Sequence, residues 1–206
     1  MADRVILALP FSILRNLDYN DAGFGPLKRM AIEQIGYGTN AKLNLQFDSR
    51  LWNESGPWGL STGGSYADTG YQTTWDVTRA QKGATGILVN YTGGTIGRSF
   101  TGDRSNPRVV KGYAKKFLAQ VEPVFPGLSA EWNERATLDT PATNPFLLGS
   151  YSYWRVGQYT QFAGVEKEAS GWCSFAGEHC STDFQGFMEG AAQEGARAAS
   201  EVLASL

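Results

Sequence analysis

Histidine occurs once in the 206 residues and cysteine twice. His179, Cys173 and Cys180 are too few to make a zinc site, which takes four N, S or O ligands at recognisable spacings. The two cysteines flank a strand-like stretch; a disulfide between them stays open, and nothing demands one. Excess charge is lacking too. Eighteen Lys and Arg against 20 Asp and Glu leave a net charge of −2, which gives no electrostatic case for nucleic acid or an anionic membrane surface. No apolar run approaches the ~20 residues that cross a bilayer. The opening MADRVILALPF has one basic residue and no small-residue cleavage pattern, and it stops at Pro10. It reads as a buried strand, not a signal peptide. A chain that opens on such a strand implies a segment before it. The expected compartment is therefore the cytoplasm by default, with secretion left open.

Aromatic residues are plentiful: six Trp, nine Tyr and eleven Phe. That supply serves a core or an aromatic-lined pocket. Val5 to Leu9 is a short continuous apolar run, as in a strand buried on both faces. Pro26 suits a first helical position; Leu27, Met30, Ala31 and Ile35 follow at helical spacing before Gly36-Tyr-Gly. Ala41 to Phe47 alternates, with Leu43, Leu45 and Phe47 on one face and Lys42, Asn44 and Gln46 on the other, which predicts a half-buried strand. Short strands are expected near Tyr71 to Asp76 and Gly86 to Tyr91. After Asn106-Pro, the residues Val109, Val110, Tyr113, Phe117 and Val121 form one helix face, and Phe125-Pro-Gly stops it. Residues 129 to 148 read as irregular. Strands alternating with helices argue for an α/β arrangement.

The last segment is the most informative. After a strand at Cys173 to Ala176, a helix is expected from about Phe187 to Leu203. Met188, Ala191, Ala192, Gly195, Ala199, Val202 and Leu203 share one face; Glu189, Gln193, Glu194, Arg197 and Glu201 share the other. Glycine inside a helix costs about 1 kcal/mol relative to Ala, so Gly190 and Gly195 imply a close approach. Tight helix–sheet packing would account for the small residues alone, but not for the loop before them. The free N–H groups and positive partial charge of a helix N-terminus suit an electron-rich ligand edge.

Phe175-Ala-Gly-Glu178, then Gly186-Phe-Met-Glu-Gly-Ala191, then Gly195-Ala-Arg-Ala-Ala199 resembles the C-terminal FAD-binding signature of the flavin-containing amine oxidases, the monoamine, polyamine and L-amino-acid oxidases. Asp3 to Pro10, Pro26 to Gly38 with Lys42, and Gly149-Ser-Tyr-Ser152 resemble further parts of that family; residues 53 to 105 match weakly. The resemblance implies an α/β (α+β) fold. It combines a mixed-sheet substrate domain flanked by helices with the C-terminal strand–helix piece of a Rossmann-like FAD-binding domain. Residues 1–13 would be a strand of the FAD-binding domain, 14–140 the substrate domain and 141–206 the C-terminal part of the FAD-binding domain.

The chemistry implied is oxidation of an amine or L-amino acid to an imine by hydride transfer to flavin N5, with O2 reoxidising the flavin to yield H2O2. Lys42 would hold a water against N5, although a lysine on an alternating strand is ordinarily just solvated. Tyr151 and Phe187 would cage the amine, unless they are simply core aromatics. Gly149, Ser150, Gly186, Phe187, Met188 and Ala191 would border the flavin, with Met188 offering its backbone N–H to the N1/C2=O edge. Gly177 and Glu178 would lie near the ribityl–pyrophosphate part. Ser150 stands where some members carry the cysteine that bonds FAD, so the cofactor would be held non-covalently there. No metal is implied. His179 invites a general-base reading, which the resemblance does little to support. Arg15 and Arg155 are candidates by type for a substrate carboxylate, and no motif singles out either.

The dinucleotide fingerprint G-x-G-x-x-G in its strand–helix context is absent. Only the second half of the family's pattern is therefore present. The expected partner is a second chain, or a missing N-terminal half, that carries the fingerprint; alone, the chain should bind FAD poorly. Two alternatives stand beside this reading: an inactive truncated relative that serves as an interaction module, and a sugar- or peptide-binding domain built on the Gly/Tyr/Trp-rich middle.

Overall fold

The computed structural model describes residues 2–206. In chain order its elements are β1 (Val5–Leu7), α1 (Phe11–Leu14), α2 (Pro26–Gln34), β2 (Gly36–Tyr37), β3 (Ala41–Phe47), β4 (Ser65–Tyr66), β5 (Thr73–Asp76) and β6 (Gly86–Thr92). They continue with α3 (Gly94–Arg98), α4 (Pro107–Val121), α5 (Leu128–Glu131), β7 (Trp132–Asp139), β8 (Ser152–Tyr153), α6 (Gln158–Phe162), β9 (Cys173–Phe175) and α7 (Met188–Ala204). This mixture of helices and several sheets is the α/β class expected. Packing divides the chain into two units, one running to Gly38 and resuming at Thr143, the other spanning Thr39–Ala142. Among the described residues no helix is long and apolar enough to cross a membrane.

The unit Thr39–Ala142 is built on a five-stranded antiparallel sheet in the order β4-β5-β6-β3-β7. Strand β3 lies inside it, between β6 and β7, and the predicted alternation holds: Leu43, Leu45 and Phe47 are fully buried while Lys42 is exposed. Helix α4 covers the buried face with Val110, Ala114, Phe117, Leu118 and Val121. Its start is fixed by Pro107 and by Asn106, whose side-chain oxygen accepts the Arg108 N–H at 3.0 Å. Each Leu or Phe buried here contributes about 1.5–3 kcal/mol.

The stretch read as irregular contains β7, an edge strand paired with β3 from Lys42↔Asp139 to Leu45↔Ala136. Its sequence, WNERATLD, hides the strand for two reasons. Only Leu138 is fully buried, and the register shifts where Glu134 adopts a positive φ of 65°. An edge strand with one wet face shows little hydrophobic period.

In the other unit β1 pairs in parallel with β9, Leu7 opposite Phe175, and β2 pairs antiparallel with β8. Phe11, Leu14, Ile32, Ile35, Phe162 and Phe175 form the core. Two sequence expectations are corrected here. The run from Val5 is not buried on both faces: Val5 is 42 % and Ile6 40 % exposed, because β9 is the only strand beside β1 among the described residues. On α2, Leu27 is exposed and Lys28 is buried. The Lys28 ammonium donates to the Val165 and Glu166 carbonyls and lies 3.8 Å from the Phe175 ring centre, which satisfies a charge that hydropathy alone would place outside.

Helix α7 corrects a third. Its buried residues are Gly190, Glu194 and Ala198, while Met188 is 92 % exposed and Leu203 is also exposed. The inward face carries charge because Arg197 ties the helix down. Its guanidinium donates to the Phe175 carbonyl at 2.5 Å and to the Glu194 and Glu201 carboxylates at 2.6 Å each. Of the two glycines that seemed to need a close neighbour, Gly190 has one: a Cβ there would collide with the Phe184 carbonyl oxygen. At Gly195 a Cβ would meet nothing within 4 Å.

Candidate functional site

Strand β9 ends at Phe175, and the chain turns at Gly177, whose φ of 132° excludes most side chains. That turn delivers the Glu178 carboxylate to three donors. One oxygen accepts the Ser152 N–H at 2.9 Å; the other accepts the Ser152 hydroxyl at 2.9 Å and the Gly186 N–H at 2.7 Å. Charge-assisted bonds of this kind are about twice as strong as neutral ones. Glu178 thereby locks β8 and the loop before α7 to one point. Gln185 adds a bond from its side-chain nitrogen to the Ser152 hydroxyl at 3.0 Å.

Gly186, with φ 84°, releases the chain into Phe187, which precedes the first residue of α7 with no side-chain cap. The first-turn N–H groups of Met188, Glu189 and Gly190 therefore keep donor capacity. Phe187 is 67 % exposed; Ala191, one turn on, is half-buried. The ring of Tyr151 lies against Gly186: a Cβ there would sit 3.7 Å from it. Tyr151 is itself held by the N–H of Gly38, which donates to its carbonyl at 2.8 Å, and the Ser150 N–H donates to the Gly38 carbonyl at 2.9 Å. Gly149 is buried and must be glycine, since a Cβ would come within 2.6 Å of the Tyr37 side chain. Tyr37 is in turn fixed by its hydroxyl, which accepts the Phe11 N–H at 2.8 Å.

One unit thus gathers Gly149, Ser150, Tyr151, Gly177, Glu178, Gly186, Phe187, Met188 and Ala191 around a single loop cluster. Lys42 belongs to the other unit. There it projects from the exposed face of β3, opposite Tyr91 on β6 and Asp139 on β7. Tyr91 packs against Trp75 with ring centres 5.1 Å apart. His179 is 3 % exposed, and its ring centre is 4.4 Å from that of Phe11. Burial, aided by the Lys28 charge, pushes its pKa down to about 3, so it is neutral and poorly basic at physiological pH. Arg15 is spent on the Ile32 and Ile35 carbonyls at 2.5 Å. Sequence reasoning missed Ser152 and Tyr37, whose only signal was their place beside the Gly149–Tyr151 turn and the Gly36 turn. No group of His, Cys, Asp or Glu among the described residues could hold a metal.

The family model for flavin-containing amine oxidoreductase matches residues 1–203. This chain belongs to that family. A flavin-containing amine oxidase of Danio rerio is 27 % identical over 212 residues, covering all of this chain and 38 % of the relative. The chain therefore spans well under half the length of that family member. Among solved structures, cyclohexylamine oxidase from Brevibacterium oxydans IH-35A superposes with a TM-score of 0.82 at 18 % identity, covering 98 % of this chain and 42 % of its own. Wild-type putrescine oxidase bound to putrescine gives 0.81 at 18 %, covering 98 % and 43 %. These likenesses establish the fold.

Flavin is the cofactor of the family, and the loop cluster fits part of one. A reduced flavin concentrates negative charge at its pyrimidine edge, and the uncapped start of a 17-residue helix offers N–H donors and positive partial charge. The exposed ring of Phe187 and the half-exposed Tyr151 beside Gly186 offer aromatic surface at that loop.

Proposed function

We propose that this chain forms the substrate-facing portion and closing clasp of an FAD-dependent amine oxidase. A further segment, or a second chain, would carry the G-x-G-x-x-G fingerprint and complete it. The observation that carries the reading is the Glu178 clamp. It fixes Gly186 and so aims Phe187 and the donor end of α7. FAD, when bound, would supply the two-electron oxidation of the amine to an imine, with O2 as the final oxidant and H2O2 as its product. The chain's own residues bind and orient. Tyr151 and Phe187 flank the amine with their ring faces. The Met188 N–H and the helix dipole would stabilise negative charge on the flavin's pyrimidine edge. Gly149, Ser150, Gly186 and Ala191 would hold the ring, and Gly177 and Glu178 the ribityl chain. Serine at position 150 offers no thiol, so the flavin is held there without a covalent bond. Lys42, on the exposed face of β3, would hold a water for the reaction, as the family resemblance implies. Arg15 is unavailable to a substrate carboxylate.

The half-exposed apolar residues of β1 support the need for a completing segment, because two parallel strands alone do not make an independently stable sheet. The test combines this chain with a polypeptide bearing the fingerprint, adds FAD, and removes O2. Flavin absorbance that bleaches on adding a primary amine is the expected result. A mixture in which both partners fold but no flavin is retained would sink the proposal.

A further inference from the structure

The unit Thr39–Ala142 holds a cleft of about 960 Å3 that the flavin reading does not use. It lies between the loop following Leu51 and the Pro123–Pro126 turn after α4. Its floor includes Trp52 and Phe125, members of the core beneath α4. It is therefore not on the Lys42 face of the sheet. Its wall is ordered: Gly56 and Gly59 exchange N–H···O bonds of 3.1 and 3.0 Å across a two-residue turn that presents Pro57 and Trp58. The Trp58 indole N–H donates to the Pro123 carbonyl at 3.4 Å, pinning the ring's edge across the cleft. Yet Trp58 is 79 % and Tyr66 85 % exposed. Two large aromatics lining one cleft, wet on this scale, mark a binding surface.

The charge in the cleft has one sign. Glu54 and Asp68 line it, and no Lys, Arg or His does. Among the described residues neither carboxylate forms a salt bridge. Aromatic faces and unpaired carboxylates lining one cleft are the chemistry that recognises an organic ammonium ion. An anion would be repelled, and an uncharged apolar ligand would leave the carboxylates without a role.

We propose that this cleft binds a small organic ammonium cation, with Trp58 and Tyr66 giving ring faces and Glu54 and Asp68 the counter-charge. The site needs no flavin, so it can be tested on the chain alone and stands apart from the oxidase reading. The probe is choline, compared with its uncharged tert-butyl analogue, and the readout is the indole N–H resonance of Trp58, assigned with Trp58→Phe. The expected result is a saturable shift with choline and binding of the uncharged analogue about tenfold weaker. The double variant Glu54→Gln/Asp68→Asn, its fold checked by circular dichroism, should weaken choline about tenfold as well. Tyr151→Leu should leave choline binding unchanged. No saturable shift with choline, equal affinity for the uncharged analogue, or indifference to the double variant would each overturn the proposal. Loss of binding in Tyr151→Leu would move the cation to the flavin site, and a shift produced only by a neutral sugar would make the cleft a carbohydrate site; both refute it.

Discussion

Lowering the pH from 7.5 to 5 should charge His179 in the unfolded chain while leaving it neutral in the folded one. Burial against Phe11 holds the folded pKa at about 3, against an ordinary value of 6.5. A group with a depressed folded pKa contributes its stability above the unfolded value and loses it as the pH falls toward the folded value. The window is therefore pH 6.5 down to 3. Over the step from 7.5 to 5 the loss works out at about 2 kcal/mol. Glu166 acts in the opposite sense. Burial raises its pKa from 4.5 to about 6, so its contribution is present below 4.5 and is lost as the pH rises through 6. Over the same step down it returns about 1 kcal/mol. The wild type alone would mix the two effects, and a variant separates them. His179→Phe keeps an aromatic ring beside Phe11 and removes Nε2, a buried atom without a hydrogen-bond partner. An orphaned buried polar atom costs about 1–3 kcal/mol, so His179→Phe should match or exceed the wild type at pH 7.5. The gap should then widen in the variant's favour by about 2 kcal/mol at pH 5. Urea unfolding at the two pH values, followed by tryptophan fluorescence, measures it. A gap that stays constant between pH 7.5 and 5 would show that His179 titrates alike in both states and would refute the argument.

Three further outcomes follow from the same geometry. Glu178→Ala strands the Ser152 and Gly186 donors; it should lower stability by about 1–3 kcal/mol and abolish flavin retention by the completed enzyme, read by urea unfolding and by flavin absorbance after gel filtration. Gly190→Ala forces a Cβ into the Phe184 carbonyl and should lower the melting temperature by several degrees, whereas Gly195→Ala, with open space, should raise it through helix propensity of about 1 kcal/mol; equal effects would contradict the placement. Burial lowers the Lys28 pKa from 10.5 to about 8, so the folded state sheds its proton first. The wild type should therefore gain about 2 kcal/mol relative to Lys28→Met between pH 8 and 10, measured by urea unfolding at both values.

What the sequence makes legible follows from which forces leave a periodic trace. Strand β3 is plain because one face packs on α4 and the other does not, so Leu43, Leu45 and Phe47 alternate with polar residues. Strand β7 leaves almost none, because Leu138 is its only fully buried residue. Helix α4 shows its face through Val110, Phe117 and Val121, where burial is purely apolar. Helices α2 and α7 mislead for a common reason: Lys28 and Arg197 face inward to satisfy backbone carbonyls of Val165, Glu166 and Phe175. Hydropathy scores such residues as outward-facing. A buried cation is paid for by acceptors far off in the chain, and those acceptors are carbonyls, which every residue has and no sequence pattern marks.

The site divides along the same line. The loop from Gly177 to Met188 is readable because glycines with positive φ and an uncapped helix start impose residue types at fixed positions. That Glu178 matters is readable as well; what it does is not. Its partners are a backbone N–H at Gly186, and a backbone N–H and a hydroxyl at Ser152, 26 residues before it in the chain. Sequence fixes the carboxylate and leaves its donors unspecified, because donors of this kind are supplied by the fold. Gly149 shows the converse. Its need for glycine comes from the Tyr37 side chain, over a hundred residues upstream, and the structure supplies that reason. The motif therefore locates the clasp, while the strength of the clasp resides in contacts between segments that the motif does not contain.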